Sequence, residues 1–167
     1  LACFGHSAEA IGAAVRAQGH VTHHNDLSDA ASETLVFMVQ DFLAGRDPVD
    51  VLTRHTQALT ARFPAFATRG KRRENPSGYV VETLQAVFQS LADTEDFSAC
   101  LIDVVNRGGD ADTTGAIAGM LAGARYGLEA IPTRWLQALD PQTRSACERQ
   151  AQALMDLAAA SGAAAAN

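Results

Sequence analysis

Two aspartates and a threonine crowd into the run GGDADTTG at 108–115: Asp110, Asp112 and Thr113. Carboxylates and a hydroxyl are hard oxygen donors, suited to Mg²⁺, Mn²⁺ or Ca²⁺ rather than Zn²⁺. The same residue types also suit a helix N-terminus, where either aspartate can accept a backbone N–H and face the positive end of the helix. A cap needs one acidic residue, whereas this run has two behind a Gly-Gly lead-in, so both readings stay open. Two familiar loops fail by counting. An EF-hand would accept Asp110, Asp112 and Gly115 at its first, third and sixth positions, but Leu121 stands at the twelfth, where it needs Glu. A phosphate-binding P-loop needs Gly-Lys-Ser/Thr after a strand, and neither is present. An octahedral ion takes about six oxygens, more than this turn holds. Asp26, Asp29 and Glu33 are equally well explained as caps and solvated helix positions and are not assigned as ligands. The turn therefore reads as half of a metal site.

The elements around it are helices. Apolar residues recur at helical spacing from end to end and no period-two strand stands out, which predicts an all-α, compact multi-helix fold. Ser7 is expected to cap a first helix closed by Gly19. Ser28 or Asp26 should cap a second that carries Leu35, Val39 and Phe42 and ends at Gly45. Pro48 opens a third helix running to about Arg62, before Phe63-Pro64. The segment TRGKRRENPSG at 68–78 cannot bury a face and reads as a surface or cleft loop. Helix resumes at Tyr79, another spans Phe97 to Asn106, and Arg107-Gly108-Gly109 breaks it. In the helix after Asp112, Ile117, Met120, Leu121, Ala124 and Leu128 should fill the core, while Gly115, Gly119, Gly123 and Gly127 leave the opposite face open to close packing. A last helix runs from Pro141 to about Ala159. Residues 1–160 are read as a single domain and 161–167 as a frayed Ala-rich tail.

Composition bounds the function. The 167 residues are 47% hydrophobic, enough for one core, and 13 Lys+Arg against 19 Asp+Glu give a net charge of -6 with no broad attraction for nucleic acid. No apolar run is long enough for a transmembrane segment, and no basic-then-apolar leader is present. Cys3, Cys100 and Cys147 are few, odd in number and far apart, which suits a reducing, cytoplasmic setting and packing roles. His20, His23 and His24 cluster in a segment whose Gly19, Thr22 and Asn25 argue for a loop, hence surface or cleft histidines rather than a transition-metal site. Arg69, Lys71, Arg72 and Arg73 read as a solvated loop whose charge would also suit a pyrophosphate or an acidic protein surface. Tyr79, taken alone, reads as a first-turn aromatic packing into the core.

Three stretches, ENPSGYVVETLQAVF, DVVNRGGDADTTGAIAGMLAGARYG and IPTRW, together with the earlier GHVTHHNDLSDAAS, resemble the ADP-ribosylglycohydrolase family over nearly the whole chain. The likeness is strongest to its branch acting on dinitrogenase reductase. It implies an all-α fold with two Mn²⁺ (or Mg²⁺) ions, hydrolysing the N-glycosidic bond between ADP-ribose and an arginine side chain. By that likeness Asp110, Asp112 and Thr113 are metal ligands, Tyr79 lines the ADP-ribose cleft, and Gly109 and His23 or His24 lie near the substrate. The implied partners are ADP-ribosylated dinitrogenase reductase and a signalling protein that links the enzyme to the membrane. Family members are longer and carry a Thr-Asp-Asp-Thr motif and a proton-transfer residue in their N-terminal half. Neither is in this sequence, which opens at Leu1 without Met, so the chain is expected to correspond to a C-terminal portion whose catalytic acid or base lies elsewhere. Two alternatives accompany this reading: hydrolysis of another ADP-ribosyl linkage, and a non-catalytic helical binding module.

Overall fold

The computed structural model describes residues 7–68 and 70–165 and is built from helices alone among them. In chain order these are α1 (Ala8–Gly19), α2 (Asp26–Leu43), α3 (Pro48–Arg62), a 3₁₀ turn (Pro64–Phe66), α4 (Val80–Asp93), α5 (Phe97–Asn106) and α6 (Ala111–Tyr126). A second 3₁₀ turn (Leu128–Ala130), α7 (Thr133–Ala138) and α8 (Pro141–Ala165) complete the chain. Local chemistry sets most starts. Ser7, Asp47 and Asp96 each accept a backbone N–H from inside the helix they precede, and Pro48 fills the first turn of α3. α2 departs from expectation. Its cap is Asn25, not Ser28 or Asp26: extended Asn25 accepts the Ser28 N–H at 2.9 Å and donates its amide to the Ser28 hydroxyl at 3.0 Å.

α6 is the central helix, packed on α5, α4 and α2. Its buried side is Thr114, Ala118, Leu121 and Ala122, facing a core that includes Met38, Val51, Leu84, Val87, Leu91 and Val104. Two residues expected in that core are outside it: Met120 is 47% exposed, and Leu128, at 64%, lies beyond Gly127, whose φ of 83° ends the helix. The glycine face is also narrower than the spacing suggested. A Cβ on Gly115 would meet Val105 at 3.2 Å and one on Gly119 would meet Leu101 at 3.8 Å, so these two admit α5, whereas Gly123 faces nothing within 4 Å. Gly123→Ala is therefore expected to stabilise the fold by about 0.5–1 kcal/mol, the helix-propensity difference. A thermal melt showing a lower midpoint for this variant would contradict the open environment.

α8 runs past the expected end near Ala159 to Ala165, and Leu154, Met155 and Leu157 along it are exposed. The tail at 161–167 reaches outside the described residues at its last two positions. Cys100 is buried, and burial pushes its thiol pKa up, consistent with packing. Cys147 is exposed on α8, contrary to a packing role, and Cys3 lies outside the described residues. No helix among the described residues is long and apolar enough to cross a membrane.

Candidate functional site

The turn between α5 and α6 is shaped by glycine and by a distant loop. Gly108 and Gly109 have φ of 75° and 65°, which L side chains resist. A Cβ on Gly109 would overlap the Pro76 carbonyl oxygen and crowd the Asn75 carbonyl carbon. That closeness comes from two backbone hydrogen bonds: Asn75 N–H donates to the Arg107 carbonyl at 2.8 Å, and Asp110 N–H donates to the Pro76 carbonyl at 2.7 Å. Residues 75–79 are thus laid across the turn. Asp110 becomes the N-cap of α6, accepting the Thr113 N–H at 3.4 Å, while its Oδ2 stands 2.9 Å from where a Cβ on Gly78 would be. Gly78 is glycine because that carboxylate occupies its side-chain space.

Asp112 and Thr113 are exposed in the first turn of α6. The Asp110 carboxyl is held below the usual carboxylate range, first by its hydrogen bond with the Asp112 carboxyl and then by the Thr113 hydroxyl. Two acidic groups and a hydroxyl thus converge at one solvent-open point. The three donors are of the hard-oxygen kind that divalent cations take. The residues fit part of a metal site. Among the described residues no group of three or more His, Cys, Asp or Glu gathers to complete it.

Beside the turn lies a cleft of ≈ 730 Å³. Gln18, Thr22, His23 and Asn25 form one wall at the α1–α2 corner, while Leu35, Phe63, Leu84 and Ile117 supply apolar surface. Gly78, Tyr79 and Thr113 bring the loop and the turn to its edge. The side chains singled out from sequence separate here. Tyr79, expected in the core from its position alone, is 52% exposed and borders the cleft. His23 also borders it, its ring bonded to the Thr22 hydroxyl at 2.9 Å. His24 does not; it stacks on His20 at 3.8 Å, and His20 in turn pairs with Asp29 at 2.9 Å. Gly109 contributes the backbone of the turn and is absent from the cleft wall.

The basic run is elsewhere. Arg72 pairs with Glu74 and Asp103, and Arg73 donates to Gln85 at 2.7 Å, so these guanidinium groups are spent within the chain and flank a separate hollow. Arg69 lies outside the described residues. Sequence reading passed over the apolar wall of Leu35, Phe63, Leu84 and Ile117, for which helical periodicity gives no signal beyond burial. It read the Asn-Pro-Ser-Gly string as part of a surface or cleft loop but did not foresee that Asn75 and Pro76 bond to the turn after α5.

The sequence profile of the ADP-ribosylglycohydrolase family matches residues 1–164. The chain is 42% identical over 158 residues to the ADP-ribosyl-[dinitrogen reductase] glycohydrolase of Rhodospirillum rubrum, covering 95% of this chain and 53% of that protein. It is 32% identical over 132 residues to the ADP-ribosylarginine hydrolase Tri1 of Serratia proteamaculans, covering 76% of this chain and 36% of that one. A solved ADP-ribosylglycohydrolase-related protein complex superposes with a TM-score of 0.78 at 33% identity, over 94% of this chain and 56% of its own. The chain thus spans about half the length of the first of these relatives, or 53%, and less of the second, 36%.

Proposed function

From the premise that this chain belongs to the ADP-ribosylglycohydrolase family, we propose that it carries one side of the active site of a metal-dependent hydrolase that removes ADP-ribose from an arginine side chain. The arginine linkage is favoured because relatives named for ADP-ribosyl-dinitrogen reductase and for ADP-ribosylarginine both match. ADP-ribosylated dinitrogenase reductase is the proposed target. The observation that carries the reading is the grouping of Asp110, Asp112 and Thr113 on the N-cap and first turn of α6, where Thr113 and the neighbouring Tyr79 border the cleft.

Asp110 and Asp112 would hold Mn²⁺ or Mg²⁺, with Thr113 as a neutral oxygen donor. A bound divalent ion would supply Lewis-acid coordination of substrate hydroxyls and would favour ionisation of the water that replaces the arginine nitrogen at the sugar carbon. The remaining work falls to the chain. Tyr79, half exposed at the cleft edge, is proposed to stack on a flat group of the substrate, and His23, which also borders the cleft, to contact it. Gly109, having no side chain, lets the 75–79 loop cross the turn and so place Tyr79 beside it. No described residue is assigned the proton transfer.

The test pairs binding with turnover. Calorimetric Mn²⁺ titration of the 167-residue chain and of Asp112→Asn should show affinity falling at least about tenfold in the variant, by loss of a charged oxygen ligand. Release of ADP-ribose from an ADP-ribosylated arginine peptide, assayed with the chain extended upstream to the length of its relatives, should fall with it. If neither Mn²⁺ nor Mg²⁺ binds and Asp112→Asn changes nothing, the aspartates are helix caps and the hydrolase reading is lost.

A further inference from the structure

Glu82 stands in the first turn of α4 yet does not act as its cap. Tyr79, at the N-cap position, makes no side-chain capping bond, and the Glu82 carboxylate reaches back past it to Ser77. A single oxygen, Oε2, accepts both the Ser77 N–H at 3.0 Å and the Ser77 hydroxyl at 2.7 Å, while the Arg73 guanidinium lies 3.5 Å from Oε1. Ser77 is itself bonded to two later residues. Its hydroxyl accepts the Tyr79 N–H at 3.3 Å, and its carbonyl accepts the Thr83 hydroxyl at 3.2 Å. The segment gripped in this way carries the Pro76 carbonyl that receives the Asp110 N–H, and the Gly78 that gives the Asp110 carboxylate its room.

The geometry points to Glu82 as a positioning residue: through Ser77 it fixes the 75–79 loop, and through the loop it sets Asp110 on its turn and Tyr79 at the edge of the cleft. Glu82 does not itself line the cleft, so it acts at one remove. Both Ser77 bonds end on one acceptor atom, and the amide oxygen of glutamine can accept both. Geometry rather than charge is what the role needs, which separates it from simple attraction of a cation. The inference deepens the metal-turn reading, but its structural arm is measured independently of any metal.

The experiment is residue-resolved amide hydrogen exchange by NMR on the 167-residue chain, alongside Mn²⁺ titration, for wild type, Glu82→Ala and Glu82→Gln. Glu82→Ala should speed exchange of the Asp110 amide about tenfold, the scale of one forfeited hydrogen bond, and leave the Val87 and Leu91 amides in mid-α4 unchanged. Mn²⁺ affinity should fall by a similar factor, and Glu82→Gln should behave as wild type in both measurements. Unchanged Asp110 protection in Glu82→Ala overturns the inference. So does a glutamine variant as impaired as the alanine one, since charge would then be the operative property. If α4 itself loosens in Glu82→Ala, Ser77→Ala replaces it: removing only the hydroxyl must still speed Asp110 exchange selectively, and failure to do so also overturns the inference. A wild-type chain that shows the exchange pattern but binds no Mn²⁺ supports the positioning role and removes the metal reading alone.

Discussion

Gly109→Ala is expected to lower stability by about 3–4 kcal/mol and to release Asp110 from its place. The left-handed backbone at this position costs an L residue about 1–2 kcal/mol. The added methyl also overlaps the Pro76 carbonyl, so the 75–79 loop must lift away. Lifting it forfeits the Asn75-to-Arg107 and Asp110-to-Pro76 hydrogen bonds, each worth about 1 kcal/mol. For a chain of this size the total corresponds to a drop in melting temperature on the order of 10 °C. Thermal unfolding monitored by circular dichroism checks it, with Gly123→Ala as the opposite-signed control. A midpoint within about 2 °C of wild type would mean that loop and turn are not in contact.

Asp103→Ala should have an effect at least as large. Arg107 is completely buried, with its guanidinium donating to Asp103 through Nε at 3.0 Å and through a second nitrogen, and to Gln89 at 2.8 Å. Its other acidic neighbour, Asp93, is 4.0 Å away and 61% exposed. Without Asp103 a buried cation loses its main counter-charge, a change that costs about 3–5 kcal/mol. The carboxylate has a matching signature in pH. Burial raises its pKa, but the hydrogen bonds from Arg107 and Arg72 outweigh burial and leave it below the ordinary range. A carboxylate depressed in the folded state stabilises fully above its unfolded value of about 3.9. That stabilisation is lost as pH falls through the lower folded value. Urea unfolding from pH 7 to 3 should therefore show Asp103→Asn less stable than wild type at neutral pH, the gap closing in acid. A gap independent of pH would put the effect down to packing instead.

Much of this architecture was visible in the sequence because it is written locally. Ser7 and Pro48 mark helix starts by their own backbone and hydrogen-bonding preferences, and the α5 boundaries at Phe97 and Asn106 fall where expected, whereas Gly127 ends α6 where the glycine spacing had continued it. The Asp110, Asp112 and Thr113 group was legible for the same reason, since one turn of chain brings its donors together. Errors arose where a face depends on its neighbours. Met120 has an apolar side chain and helical spacing, yet on its side of α6 it is left 47% exposed. Gly123 shares the period of Gly115 and Gly119, yet it finds nothing within 4 Å. The choice between His23 and His24 was likewise beyond spacing: the stacking of His24 on His20, itself held by Asp29 on the next helix, is a tertiary contact. The least legible feature was the crossing of residues 75–79 over 108–110, which joins segments separated by all of α4 and α5.

That crossing governs when the turn can exist during folding. A helix cap forms with its helix, but the placement of Asp110 also waits for the Pro76 carbonyl, which arrives only after α4 and α5 have docked and closed the intervening stretch of chain. The aspartates are therefore expected to acquire their arrangement with the core rather than as a preformed peptide motif, which pulse-labelled exchange of the Asp110 amide during refolding would check. The string Gly-Gly-Asp-Ala-Asp-Thr by itself carries the oxygen donors without their geometry, and a chain whose α4 fails to dock would keep those residues and lose their arrangement.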